Sequence, residues 1–253
     1  MIPMLQPDDP PDRFPNPAHA LRNPDGLLAI GGDLSAERLV AAYQRGIFPW
    51  YNDGNPILWW SPDPRAVLLP TAIHRSRRLE RRMRQARYRA SIDEAFDPVI
   101  CACAEPRSAE SGTWLLPEMR AAYRRLHHSL GLAHSIELWD GNHLVGGLYG
   151  VALGRAFFGE SMFSRVPDAS KILLVILGCH LARRDYRLID AQVISPHLLR
   201  MGAQLWPRPR FLQELARAMT DGPTLPLAPL DPDLSTPGGG LVAAKDIEQR
   251  CSL

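Results

Sequence analysis

Cysteine is scarce, and the four present, Cys101, Cys103, Cys179 and Cys251, fit neither a disulfide framework nor the paired CxxC spacing of a zinc site. Reduced thiols and no metal are expected. Long apolar runs are missing too. The longest, Ile172 to Leu177, falls far short of the ~20 residues a membrane-spanning helix needs. The first ten residues, MIPMLQPDDP, carry neither a basic stretch nor an apolar one, so no secretory signal is expected and a cytoplasmic location is the default. No glycine-rich phosphate loop, GxSxG elbow or HExxH pair occurs, which removes the commonest nucleotide-binding, serine-hydrolase and zinc-protease readings. His127, His128, His134, His143, His180 and His197 are accordingly read as structural.

Polar segments around one apolar helix carry the chemistry. Gly159-Glu160-Ser161-Met162-Phe163-Ser164 and Asp190-Ala191-Gln192 bracket Ile172, Leu173, Val175, Ile176, Leu177 and Leu181, with Asp168 as the expected helix N-cap. Residues 155–159 and 187–192 read as strands. A strand, helix and strand of this length form a right-handed parallel crossover, which brings both carboxyl ends to one sheet edge. Glu160, Asp190 and Gln192 are then expected to converge. Two-residue spacing puts Asp190 and Gln192 on one face and Ala191 on the other. Solvated polar residues at a strand end are the plain alternative.

Upstream, the first twenty residues are proline-rich and expected to run extended along the surface. Leu27 to Ile30 reads as a strand, and Ser35 caps a helix ending near Gly46. Trp50, Trp59 and Trp60 follow among prolines, as rings that either plug a seam or form a stacking platform for a nucleobase. Eight arginines face one glutamate between Arg75 and Arg89, a local excess of seven charges in a chain whose formal total is +2. Ser76 caps this helix, with Leu79, Met83 and Ala86 turned inward. Arginine without lysine suits phosphate oxygens, so Arg75, Arg77, Arg78, Arg81, Arg82 and Arg84 are candidate contacts to a nucleic-acid backbone, against the alternative of a solvated face. A cysteine-bearing helix opens at Asp97 and Pro98, another at Pro117, and residues 133–139 and 143–153 form a hairpin around Asp140-Gly141-Asn142.

Together, the segments DGLLAIGGDLS (25–35), GIFPWY (46–51), WWSPDPR (59–65), GTW (112–114), GESMFS (159–164) and LIDAQ (188–192) resemble the bacterial leucyl/phenylalanyl-tRNA-protein transferases. The resemblance runs from about residue 14 to residue 211. It implies an α+β fold, with a small N-terminal α/β domain (1–65) and an acetyltransferase-like, GNAT-type catalytic domain (66–220) whose mixed, mainly antiparallel sheet is flanked by helices. A Pro/Gly-rich tail (221–253) is expected to be flexible, either disordered or loosely docked. The implied reaction moves leucine or phenylalanine, less readily methionine, from aminoacyl-tRNA to proteins with N-terminal arginine or lysine. This marks them for degradation. No cofactor or metal is implied, and a cytoplasmic monomer is expected. By resemblance Asp190 and Gln192 are catalytic, and Glu160 and Asp190 seat the acceptor. Trp50 and Trp114 hold the terminal adenosine, while Leu148, Phe157, Ile176 and Leu177 line the donor side-chain pocket. Two departures stand out: Ala191 occupies a place where many members carry cysteine, and the chain beyond Gly222 has little counterpart. An acetyl-CoA-dependent acetyltransferase would need a glycine-rich pyrophosphate loop before the long helix, where residues 164–171 have none. A non-catalytic RNA-binding module would use the arginines and leave Asp190 idle.

Overall fold

A computed structural model describes residues 2–105 and 115–236. Its architecture is α+β, built on two sheets. The first sheet comprises β1 (Met4–Leu5), β2 (Leu27–Gly31), β3 (Phe48–Pro49) and β4 (Leu58–Trp60), in the order β1-β2-β4-β3. Its helix α1 (Ala36–Gln44) starts where the Ser35 hydroxyl accepts from the Arg38 N–H, and it buries Leu39, Ala42 and Tyr43 completely. The proline-rich start is less superficial than expected. β1 pairs in parallel with β2, Leu5 is buried, and Phe14 packs edge-on against Trp59 with ring centroids 4.9 Å apart. Proline blocks continuous pairing, yet it leaves these apolar side chains free to close the core.

The second sheet gathers β5 (Arg65–Leu68), β6 (Arg89–Ile92), β7 (Ala133–Asp140), β8 (His143–Leu153), β9 (Ala156–Ser164), β10 (Leu188–Gln192) and β11 (Gln204–Trp206). Their order is β11-β5-β10-β9-β8-β7-β6, and every pairing is antiparallel except that of β9 with β10. The other helices are α2 (Arg77–Arg84), α3 (Phe96–Ala104), α4 (Pro117–His128), α5 (Ala169–Ala182), α6 (Pro196–Arg200) and α7 (Arg208–Thr220). The crossover between β9 and β10 is α5, buried from Ile172 to Leu181 as an all-round apolar helix must be. No helix among the described residues is long and apolar enough to cross a membrane.

Two local expectations are corrected. Asp168 does not cap α5 with its side chain; it adopts φ 65°, and its carboxylate instead holds Lys171 Nζ at 2.6 Å and Arg82 Nη1 at 3.3 Å. Ala86 lies beyond the end of α2, exposed, at φ 50°. The tail is docked as far as it is described. Leu227 and Leu234 are completely buried, the Leu227 carbonyl accepts from His180 Nε2 at 2.7 Å, and Arg183 reaches Asp231 and Asp233. Apolar residues spaced between prolines allow a mostly extended strap, with one 3-10 turn at Pro232–Leu234, to fill a groove. Residues 237–253 lie outside the described chain.

Candidate active site

Two bulges build the site. Along β8 and β9, Tyr149 faces Ser161 and Gly150 faces Gly159, so Glu160 is an extra residue pushed out of the ladder. Gly150 permits this, because a Cβ there would sit 2.2 Å from the Phe158 carbonyl oxygen. The polar segment after Gly159 is therefore strand, with Glu160 displaced from it. On β10, Asp190 faces Val67 and Gln192 faces Ala66, leaving Ala191 unpaired and Gln192 at φ 60°. This overturns the simple alternation expected of Asp190, Ala191 and Gln192. Ala191 and Gln192 both line the cavity, whereas Asp190 is completely buried behind it.

The cavity encloses about 900 Å³ between the edge of the first sheet, strands β8 to β10, α5 and the segment leading into α6. On its wall Glu160 accepts from Tyr43 Oη at 2.7 Å, Tyr123 Oη at 2.6 Å and Gln192 Nε2 at 2.8 Å. Burial, reinforced by the nearby Asp190 charge, pushes the Glu160 carboxyl up to about 7 despite these donors. The same burial raises Tyr43 and Tyr123 well above the ordinary phenol value, with Glu160 adding to it, so both remain hydroxyls.

Behind this wall the Arg65 fork grips Asp190 through Nε at 2.8 Å and Nη2 at 2.7 Å. The Phe48 and Phe211 rings flank the guanidinium, each with its centroid 4.7 Å from Cζ. A fully buried carboxylate needs such a partner, and the remaining capacity of Oδ1 accepts the Gln192 backbone N–H at 2.9 Å. Asp190 thus holds the turn that presents Gln192. As a direct seat for an acceptor's cation it is corrected, since Arg65 already occupies it and it does not reach the cavity.

The floor is apolar. Leu148, Phe157 and Leu177 line it, but Ile176 does not; it is packed in the core, and Leu174 stands in the lining one turn before Leu177. Positions three apart share a helix face, while position 176 turns away. Of the three neighbouring tryptophans, Trp59 is a buried plug with Nε1 donating to the Gly31 carbonyl, and Trp50 is 45% exposed at the cavity edge. Trp114 lies outside the described residues. On α2, Arg77, Arg78, Arg81 and Arg84 are exposed, and Arg82 donates to the Pro167 carbonyl at 2.7 Å, tying α2 to the start of α5. Among the described residues no cluster of three His, Cys, Asp or Glu could hold a metal ion. Sequence reading missed Tyr43, Tyr123 and the role of Arg65. Tyr43 and Tyr123 sit at core-facing helical positions and carry no local sign that their hydroxyls meet across 80 residues.

Two family descriptions match in tandem: "Leucyl/phenylalanyl-tRNA protein transferase N-terminal domain" over residues 32–63 and "Leucyl/phenylalanyl-tRNA protein transferase" over residues 67–216. The chain is 56% identical over 225 residues to the leucyl/phenylalanyl-tRNA-protein transferase of Aromatoleum aromaticum, covering 88% of this chain and 92% of the relative. The protein of the same name from Nitrosomonas eutropha is 55% identical over 223 residues, 88% of this chain and 93% of the relative. That from Shewanella baltica is 50% identical over 221 residues, 87% and 90%. With both family regions matched in order and the bulged Glu160, Asp190 and Gln192 segments inside the second, this chain belongs to the leucyl/phenylalanyl-tRNA-protein transferase family.

Proposed function

We propose that the cavity bearing Glu160 and Gln192 is where this chain transfers leucine or phenylalanine, and less readily methionine, from aminoacyl-tRNA to the α-amino group of proteins beginning with arginine or lysine. The observation that carries the reading is the juxtaposition of an apolar floor, suited to a leucyl or phenylalanyl side chain, with a carboxylate and amide wall suited to a cationic amine. Fold supports it as well. An antiparallel meander followed by a helix and a parallel strand agrees with a GNAT-type catalytic domain spanning about residues 66–220, preceded by the smaller N-terminal unit.

An aminoacyl ester is already activated, so no covalent enzyme intermediate is needed. The protein must place the amine against the carbonyl and manage protons. An ionised Glu160 only accepts hydrogen bonds, so Gln192 turns Nε2 toward it and leaves Oε1 free to accept from the attacking amine. Asp190, steadied by Arg65, keeps Gln192 in that pose. Glu160 seats the acceptor's positive charge, Trp50 stacks on the terminal adenosine, and Leu148, Phe157, Leu174 and Leu177 receive the donor side chain. The exposed α2 arginines meet tRNA phosphates. The chain acts as a cytoplasmic monomer. The test is to mix the protein with leucyl-tRNA and a peptide beginning with arginine. Leucylated peptide is the expected result, and binding of tRNA without peptide modification would leave only an RNA-binding module.

A further inference from the structure

Four oxygens at the cavity wall form a ring of three contacts, closed through the Glu160 carboxyl carbon. Tyr43 Oη lies 2.7 Å from Glu160 Oε1, Tyr123 Oη lies 2.6 Å from Glu160 Oε2, and the two phenol oxygens lie 2.8 Å apart. Each contact is of hydrogen-bond length and requires one proton. Two tyrosines bring two protons, and an ionised carboxylate brings none. One contact therefore lacks its hydrogen whenever Glu160 is ionised. Adding a single proton closes the ring: Glu160 donates to Tyr123, Tyr123 to Tyr43, and Tyr43 back to Oε1, which still accepts from Gln192 Nε2. Both tyrosines are completely buried, so no bulk water competes for the missing place.

We propose that Glu160, completed by Tyr43 and Tyr123, is the catalytic base that takes the first proton from the acceptor's α-ammonium, the ring's vacant hydrogen-bond position being what it fills. The inference rests on the transfer reaction proposed above. An α-amino group titrates near 7.7 to 8.0, so at neutral pH the acceptor arrives mostly protonated and unable to attack. In the step, one N–H bond of the ammonium breaks and an O–H bond forms on Glu160. The freed lone pair attacks the ester carbonyl carbon, and a C–N bond forms. The C–O bond to the ribose breaks, and the second proton shed by nitrogen ends on the departing 3′ oxygen. Glu160 then returns its proton to solvent. Burial has already brought the Glu160 carboxyl to about 7, near the amine it serves. The groups facing it are Tyr43 from α1, Tyr123 from α4, Tyr149 from β8, and Asp190 and Gln192 from β10, with Arg65 neutralising Asp190 from β5. Glu160 is the catalytic residue here; Tyr43 and Tyr123 are positioning residues.

Single-turnover transfer from leucyl-tRNA to a peptide beginning with arginine, followed from pH 6 to pH 9 at saturating peptide, tests this. For wild type, an acid limb near pH 7 is expected. Glu160→Gln should be slower by up to about 50- to 100-fold at pH 6, the inverse of the free-amine fraction there, with a defect that shrinks toward pH 9 as the amine deprotonates unaided. Tyr43→Phe and Tyr123→Phe preserve packing, and each should move the acid limb upward because it removes a donor that steadies the carboxylate. A Glu160→Gln defect equal at every pH and confined to peptide KM, or tyrosine variants with an unmoved limb, would make Glu160 a seat only and overturn the inference. Wild-type protein that leaves the peptide unmodified would overturn the transfer reading and this one with it.

Discussion

Asp190 is completely buried at the candidate site and does not line its cavity. Its carboxylate links the Arg65 fork to the Gln192 backbone N–H, and Gln192 holds a left-handed φ of 60° that glutamine does not favour alone. Asp190→Ala is expected to lower single-turnover transfer by about 10²- to 10⁴-fold while leaving charged-tRNA affinity near wild type, which a filter-binding assay beside the rate measurement checks. Asp190→Asn keeps the hydrogen bond to Gln192 and should recover part of the rate. Glu160 carries a different signature. Its folded carboxyl titrates at about 7, above its unfolded value, so the native state binds more protons between roughly pH 4.3 and 7. Stability from this group is therefore present at low pH and lost as pH rises through 7. Glu160→Gln should raise unfolding stability by about 1 to 3 kcal/mol above pH 7, and the gain should vanish below pH 4, as urea titrations at the two pH values would report.

Among the elements, α2 and α5 carry separable tasks. Arg77, Arg81 and Arg84 recur along one exposed helical face, while Arg82 bonds the Pro167 carbonyl and approaches Asp168. Replacing Arg77, Arg81 and Arg84 with alanine should flatten the slope of log tRNA affinity against log salt by roughly 2 to 3 units, with the chemical step untouched, because each phosphate contact contributes about 0.7 to 0.9. Arg82→Ala should barely alter that slope. An unchanged slope in the triple variant would mean these arginines face only water. On α5 the question is donor choice. Leu174 and Leu177 line the floor and Ile176 does not, so Leu174→Phe should slow transfer from phenylalanyl-tRNA more than from leucyl-tRNA, by about 10- to 200-fold, whereas Ile176→Val should leave the ratio unchanged. Competition between the two charged tRNAs reads that ratio directly.

At the scale of the whole molecule, the strap at 223–235 joins two segments, α5 and β6, that sequence keeps apart. It covers α5 through Leu227 and Leu234, engages His180 through the Leu227 carbonyl, and reaches β6, where the Ala90 N–H donates to the Ser235 carbonyl. Because α5 also forms the cavity floor, the strap braces that floor from behind. Leu234→Ala, which empties a completely buried site, should cost about 2 to 5 kcal/mol in denaturant unfolding. A cost below 0.5 kcal/mol would show that the strap is dispensable. His180 adds a pH dependence. Burial lowers its folded value below the ordinary imidazole value, so the unfolded chain binds more protons and stability is expected to fall as pH drops below about 6.5.

By itself the sequence determined the elements whose signals are local. Ser35 and Ser76 cap helices because a side-chain oxygen three residues ahead meets a free N–H, and the apolar run through Leu181 makes a buried crossover between two parallel strands. Glu160 and Gln192 were legible as partners for the same reason: a parallel crossover brings strand ends together whatever lies between. Tertiary structure alone decided which way those side chains point. A bulge shifts alternation by one residue, so Ala191 lines the cavity and Asp190 retreats behind it, a displacement that depends on pairing with β5 rather than on residues 190–192, just as the displacement of Glu160 depends on Gly150 across the ladder. Likewise, Tyr43 and Tyr123 read locally as core residues on two helices. That their hydroxyls complete one proton ring around Glu160 follows only when the first sheet's helix, α4 and β9 pack together, because hydrogen bonds between side chains depend on distance in space and not along the chain.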